Sequence, residues 1–469
     1  MMIHLNRQLI NDLKKTDRLI LPIKEQFHYP EKVLQFGTGV LLRGLPDFYI
    51  DEANRCGQFQ GRVVVVKTTQ QGSLAPYQQQ DCLYSICMRG KTGDQLVNQT
   101  YVNASISRVL GAQEDWEAIK EYARSSTLQV VISNTTEVGI VYEPERIDEG
   151  MPSSFPGKLL YLLYERYIHF KADVEKGLII LPAELIEYNG DKLHAILKQL
   201  IEFNQLDEAF QHWFDAANVI CNTLVDRIVP GKLSGDDLAE QEIANGYTDD
   251  LMISCEPFGL WVIESTDERV KQVVSFANEK LGCKVVPSIH KYKELKLRML
   301  NATHTFSCAL SILAGIDLVK ASMSDQDLSH FIKHLLLHEI KDAILGDEIL
   351  EEEAISFGNS VLDRFANPFL EHRWESISAQ YALKMKGRCV PLITSYWKKY
   401  NHLPQFMLLG LAAFMIWEKK NPNQLTAMLS DEQAWGTNLD QIPGLKDQVY
   451  ALMVSIQNNG IPSTINQLN

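Results

Sequence analysis

The sequence has no apolar run of membrane length. The longest, Phe406 to Trp417, is 12 residues, whereas a bilayer crossing takes about 20, so this run reads as a buried helix. The opening stretch, MMIHLNRQLINDLKK, carries polar residues where a secretory leader would place its apolar centre, and the expected location is the cytoplasm. Cysteine is sparse, 8 in 469 residues, and no Cys-x-x-Cys occurs, so neither a disulfide framework nor a zinc knuckle is implied. Positive charge is in deficit. Lys plus Arg number 45 against 59 Asp plus Glu, a net charge of −14, and that field repels phosphate backbones and anionic lipids. Neither nucleic acid nor a membrane surface is an expected partner. An anionic small molecule would need a locally basic pocket set against the same field. Internal repeats and low-complexity tracts are absent as well.

What remains is an ordinary globular composition, 45% hydrophobic and 22% charged, long enough for two or three domains of roughly 150 residues. Up to about residue 285, short β-branched runs alternate with helical patterns, the signature of βαβ units and a parallel sheet. Expected strands are Lys32 to Phe36, Arg62 to Lys67, Leu128 to Ser133 and Gly177 to Leu181, with a late Lys284 to Val286 pair. Helices are expected over Gln113 to Ser125 and Lys158 to Phe170. After residue 286 the β-branched runs stop. Helix-length segments follow at Tyr292 to Ala314, Asp325 to Ile344, Leu350 to Phe365, Gln380 to Lys399 and Pro404 to Lys419. The expected architecture is α/β: a Rossmann-like doubly wound domain over 1–285, then a mainly α-helical substrate and catalytic domain over 286–469.

The first strand runs into Phe36-Gly37-Thr38-Gly39, and strand, Gly-x-Gly, helix is the arrangement that lets backbone N–H groups approach a pyrophosphate. An ordinary turn uses the same residues. The third glycine of the fingerprint is replaced by Leu42, with Arg43-Gly44 following. The second strand ends in Lys67-Thr68-Thr69, with no acid to hold an adenosine ribose, so the residues alone leave NAD and NADP both open. Ser133-Asn134-Thr135-Thr136-Glu137 and Glu184-Leu185-Ile186-Glu187-Tyr188-Asn189-Gly190 directly follow two further strands, where open α/β sheets bind ligands. Asn222 to Arg227 is a third polar insertion. Turn chemistry would account for all three.

In the helical half, Lys296, Asn301 and His304 fall within one helical sector of about 140° at 100° per residue, putting a cation, an amide and an imidazole on one face. A solvated polar face is the alternative. Tyr292-x-x-x-Lys296 has the spacing of short-chain dehydrogenases, but those are single domains with the pair inside the nucleotide fold. His330, His334 and His338 repeat every fourth residue; no carboxylate or Cys completes a metal motif around them, and an amphipathic face is the favoured reading. Lys384, Lys386 and Arg388 put three cations in five residues, either to grip a substrate carboxylate or to complement a helix end.

Together these motifs resemble the long-chain polyol dehydrogenases related to mannitol 2-dehydrogenase, whose helical-domain signature, K-x4-N-x2-H, is matched by Lys296, Asn301 and His304. QFGTG, VISNTTEVGI, LPAELIEYNGD, NTLVDRIV and RFANP are similar to the tagaturonate reductase (altronate oxidoreductase) branch. Fructuronate reductase and mannitol dehydrogenase are the sister activities. The resemblance implies NAD-linked, metal-independent reduction of the sugar acid D-tagaturonate to D-altronate. It implies Lys296 as general acid/base, Asn189 and Asn301 as amides on the reacting oxygen, His304 as a substrate-orienting residue and Asp226 as a supporting one. Phe36, Gly37, Thr38, Gly39, Lys67, Asn134 and Thr135 would line the cofactor site, and Lys384, Lys386 and Arg388 the substrate site. A ketone reduction needs a hydride on one side and a proton for the developing alkoxide on the other, which these residue types can serve. A non-catalytic dinucleotide sensor is the rival of a different class, and it would need no such cation, amide and imidazole on one face.

Overall fold

The computed structural model describes residues 3–69, 72–135, 139–420 and 424–468. The chain divides into two compact units, one formed by Met1–Arg89 and Val97–Ile289, the other by Gly90–Leu96 and His290–Asn469. The change from β-branched to helical sequence near residue 286 therefore lies four residues before the change of unit at His290. The short 90–96 stretch is a tip between two strands, which composition cannot flag.

The first unit is built on a parallel sheet of β1 (Glu31–Phe36), β2 (Arg62–Lys67), β3 (Ile106–Gly111), β4 (Val130–Ser133), β5 (Ile179–Pro182) and β6 (Val219–Ile220). Their order across the sheet is β3-β2-β1-β4-β5-β6, the doubly wound arrangement, with its reversal between β1 and β4. The run Arg-Val-Val-Val-Val-Lys shows why. Val63 and Val65 enter one core layer while Val64 and Val66 enter the other, so the strand is buried on both faces and no polar alternation remains. Helices α1 (Val40–Gly44) and α2 (Pro46–Arg55) cover the first face through Leu42, Phe48 and Ile50. The second face packs α3 (Phe155–His169) and α4 (Asn189–Phe203) through Leu159, Leu163, Leu193 and Leu197.

Two further sheets were not expected, although one of their strands, at Lys284 to Val286, was. Strands Leu19–Ile20, Gln95–Asn103, Tyr84–Thr92, Ile253–Cys255 and Gly231–Lys232 form one, and Thr223–Asp226, Leu260–Glu264 and Cys283–Val286 the other. Sequences such as Gln-Leu-Val-Asn-Gln-Thr mix polar residues too freely to stand out by pattern.

In the second unit every segment read as a long helix is helical, but three of them change character midway. The helix begun at His290–Glu294 passes through a π-helical stretch, Leu295–Ala302, before continuing as α5 (Thr303–Leu313). Helix α6 (Gln326–His334) runs into π-helix Leu335–Ile340, and π-helix Met385–Cys389 precedes α8 (Val390–Tyr400), with α7 (Glu351–Phe365) lying between them in sequence. Helix α9 (Gln405–Trp417) contains the 12-residue apolar run, buried continuously from Phe406 to Met415, and α10 (Leu445–Asn466) packs in the same core. Among the described residues no helix is long and apolar enough to cross a membrane.

Glu339, in the second π-helical stretch, accepts the N–H groups of Phe406 (2.9 Å) and Met407 (2.7 Å) and so caps α9, whose first turn has no side-chain cap of its own. Burial pushes its carboxyl up to about 7, against the pull of those donors. A folded-state value raised above the ordinary 4.5 means that protonation favours the folded form, so what this group contributes to stability is fully present below pH 4.5 and is lost as pH rises through about 7. Urea unfolding between pH 5 and 8 should show this decline, and Glu339→Gln should flatten it; an unchanged slope in the variant would refute the assignment.

Candidate active site

The turn after β1 is shaped for a dinucleotide by two glycines. Gly37 holds φ +122, and a Cβ there would lie 3.0 Å from Leu42 Cδ1 and 3.1 Å from the Asn134 carbonyl oxygen, so only glycine fits. Gly39 starts α1 with nothing within 4 Å of a would-be Cβ, leaving open space beside the backbone at the reversal of strand order. That arrangement fits a pyrophosphate. The missing third glycine has a counterpart: a Cβ on Gly44 would come within 2.9 Å of Val229, so the close-packing role sits two residues later than the fingerprint places it. Leu42 instead fills the core beneath the turn.

Thr38 is half-buried in this turn. Phe36 is fully buried against Phe155 at 5.1 Å, so its side chain serves the core and only its backbone belongs to the turn. Lys67 turns its ammonium onto the Thr69 carbonyl at the end of β2. The loops after β4 and β5 are tied together by Glu184, whose carboxylate accepts the Thr135 N–H and hydroxyl at 3.0 Å each and the Ser133 hydroxyl at 3.1 Å. Asn134 donates to the Ala183 carbonyl at 2.6 Å. Asn134 and Thr135 thus shape the crevice through internal bonds. Thr136 and Glu137 of the same segment lie outside the described residues.

Asn189 departs from expectation. It is 1% exposed. Its amide nitrogen donates to the carbonyls of Pro182 (2.9 Å), Glu184 (3.1 Å) and Thr223 (3.2 Å), and its oxygen accepts from the N–H groups of Gly190 and Thr223, both at 2.9 Å. An amide saturated in this way has nothing left for a substrate oxygen, so Asn189 is a positioning residue that pins the start of α4 to the strand ending in Asp226. Asp226 itself is buried at that strand's end.

Asn301, given the same role by resemblance, is the opposite case. It is half-buried, and among the described residues its side-chain amide makes no hydrogen bond. The helical wheel also needs correcting here. In a π-helix the backbone repeat is i to i+5, so Asn301 comes round one turn along from Lys296 instead of standing about 140° away. Local chemistry sustains the wider turn. Thr303 Oγ1 donates to the Met299 carbonyl at 2.6 Å and Thr305 Oγ1 to the Asn301 carbonyl at 2.7 Å, occupying acceptors in the stretch. Arg298 reaches from it to the carbonyls of Gly387 (2.9 Å) and Arg388 (3.0 Å) in the third π-helical stretch.

His304 is the second residue of α5, at 9% exposure, its ring 4.1 Å from Phe365 and 5.1 Å from His372. Burial holds its pKa well below the usual histidine value, and His372, Arg364 and Arg388 add like charge in the same direction, while a bond to the Leu300 carbonyl opposes them. His372 is lowered by burial, then by Arg364 and Lys384. Arg364 and His372 were missed from sequence; Arg364 lies in the quoted RFANP motif, but a single histidine in a loop carries no spacing signal. The three neighbouring cations divide. Lys384 donates to the Ile377 carbonyl at 2.8 Å and bears on His372, and Arg388 bears on His304. Lys386 points elsewhere, to the Gln433 carbonyl at 2.7 Å, beside a cavity of about 770 Å³ walled by Trp397 and Trp435, so its expected place in the substrate site is withdrawn. The histidine stripe also packs in place: His334 stacks on Phe406 at 3.9 Å, and among the described residues no group of three or more ligating side chains could hold a metal ion.

Residues 31–274 match the mannitol dehydrogenase Rossmann domain and residues 288–464 the mannitol dehydrogenase C-terminal domain. An altronate oxidoreductase of Bacillus subtilis (strain 168) is 35% identical over 465 residues, covering 94% of this chain and 95% of the relative. Another, of Phocaeicola vulgatus, is 35% identical over 468 residues, covering 93% and 96%. Among solved structures, D-sorbitol dehydrogenase in substrate-free form superposes with a TM-score of 0.79 at 20% identity, covering 99% of this chain and all of the other (100%). Mannitol 2-dehydrogenase of Pseudomonas fluorescens, solved with NAD and D-mannitol, gives 0.69 at 18% identity over 99% of both chains. With both domains matched and whole-length relatives above 30% identity, the chain belongs to the mannitol dehydrogenase family.

Proposed function

We propose that this chain is an NAD-dependent oxidoreductase that interconverts D-tagaturonate and D-altronate in the cytoplasm, without a metal ion. The observation that carries this reading is the placement of Asn301 one turn from Lys296 in a single π-helical stretch, with His304 immediately after it. Relatives of matching length that bear the name altronate oxidoreductase support the substrate. Eight free cysteines, seven of them buried, suit a reducing compartment.

The Gly37-Thr38-Gly39 turn would hold the pyrophosphate, with Lys67 at the ribose end of the crevice. Bound NADH supplies the hydride. The ammonium of Lys296 gives its proton to the carbonyl oxygen as negative charge develops there, and takes it back in the reverse direction. The open amide of Asn301 donates to the same oxygen, a stabilisation of about 3 kcal/mol for one well-aimed donor. His304, kept neutral by burial, offers an uncharged ring to hydrogen-bond a substrate hydroxyl.

Lys296→Ala should lower kcat for tagaturonate reduction at least ~100-fold, with NADH affinity, read by nucleotide fluorescence, within about twofold of the parent; equal loss of NADH binding would contradict the division of labour. The two directions need one group in opposite protonation states. Altronate oxidation should accordingly rise with pH while tagaturonate reduction falls, and parallel profiles would exclude a shared acid/base. Binding of NADH with no turnover of tagaturonate, fructuronate or fructose would point to the sensor instead.

A further inference from the structure

Arg388 is a half-buried guanidinium whose charge no carboxylate among the described residues balances. One terminal nitrogen reaches Thr305 Oγ1 at 3.5 Å, the outer limit of a hydrogen bond, and among the described residues no acidic side chain pairs with it. Buried or half-buried charges are ordinarily paired, because desolvation without a partner is costly. The surroundings add positive field. The charges acting most strongly on His304 are His372, Arg364 and Arg388, those on His372 are Arg364 and Lys384, and the one on Lys384 of like sign is Arg388. All are cations or groups that can become cations. They gather beside Phe365, in a chain whose net charge is −14.

Cations gathered beside an apolar ring favour an anionic ligand. Arg388 is the member suited to a carboxylate: its planar fork stays charged, whereas burial keeps His304 and His372 neutral as hydrogen-bonding groups. Lys384 is anchored on the Ile377 carbonyl and adds field. Lys386 takes no part. Arg388 is also held by its backbone, since its own carbonyl accepts from Arg298, which lies between Lys296 and Asn301 in sequence. The carboxylate anchor and the acid/base stretch are therefore cross-braced within one unit.

We propose that Arg388, flanked by His304, His372 and Arg364, anchors the substrate's carboxylate and makes this unit select sugar acids over neutral polyols. The proposal rests on the oxidoreductase reading for the identity of the substrate, and adds to it the residue that discriminates.

The test uses a matched pair, D-altronate and D-altritol, which share a carbon skeleton and differ in carboxylate against CH2OH. Calorimetric titration of the NADH-loaded full chain should show altronate bound at least ~10-fold more tightly than altritol, and Arg388→Met should weaken altronate by about 10- to 150-fold while leaving altritol within about twofold. Arg388→Lys should recover part of the preference, which a purely structural role would not produce. Equal weakening of both ligands, or an undiminished preference in Arg388→Met, overturns the proposal. Should Arg388→Met fail to fold, the wild-type preference and its partial retention in Arg388→Lys decide the matter in the same way, and a wild type indifferent to the carboxylate overturns the proposal outright. Turnover of tagaturonate is read separately: discrimination without turnover would sink the proposed reaction and leave the anchor standing.

Discussion

The helical half of this protein depends on carbonyl oxygens that an α-helix would have used and a π-helix handles differently. Between Leu295 and Ala302 the helix takes an extra residue per turn, and the hydroxyls of Thr303 and Thr305 turn back onto the carbonyls of Met299 and Asn301. Threonine is a poor helix former because its hydroxyl competes for backbone acceptors. Here that competition works for the structure: it supports the wider turn that brings Asn301 round toward Lys296. Arg298 extends the same logic to a second stretch by donating to the carbonyls of Gly387 and Arg388. π-Helical segments are rare and gather at functional sites, and among the described residues this unit has three, two of them joined by a guanidinium.

The two halves obtain precision by different means. In the Rossmann unit the glycine turn is set by what cannot be added, since a side chain at Gly37 would meet Leu42 and Asn134. Its rim is set by Glu184 and Asn189, buried polar groups whose bonds join the loops after β4 and β5 to the next strand. Such groups are costly to bury unless satisfied, and Asn189 is satisfied on every side. The helical unit leaves functional groups open instead. Asn301 keeps its amide unengaged, and Arg388 keeps a charge without an acid among the described residues, which is tolerable where a ligand completes the arrangement.

Much of the fold was legible because it rests on local pattern. Runs such as Arg62 to Lys67 read as strands buried on both faces, and their alternation with helices gives a parallel, doubly wound class. The mixed sheet was not legible, since Gln95 to Asn103 is half polar and one of its neighbours, Leu19–Ile20, is distant in sequence. Lys296, Asn301 and His304 were singled out by spacing, yet their mutual placement was misjudged: a wheel of 100° per residue assumes the helix it is meant to test. Lys384, Lys386 and Arg388 look alike in sequence, and only tertiary contacts separate the middle one from its neighbours. Arg364 and His372 reach the cluster through long-range packing that no local window contains.

The π-helical stretches also change what kinds of variation this chain can absorb. A surface helix can usually accept a conservative replacement, and a loop can gain or lose a residue. Within Leu295–Ala302 the vulnerable quantity is length. Removing one residue would let the backbone relapse to the ordinary repeat and rotate all that follows, carrying His304 away from Lys296 while leaving composition, hydrophobicity and every functional side chain intact. Drift in this region should therefore take the form of substitutions, with insertions and deletions confined to the loops outside the helices.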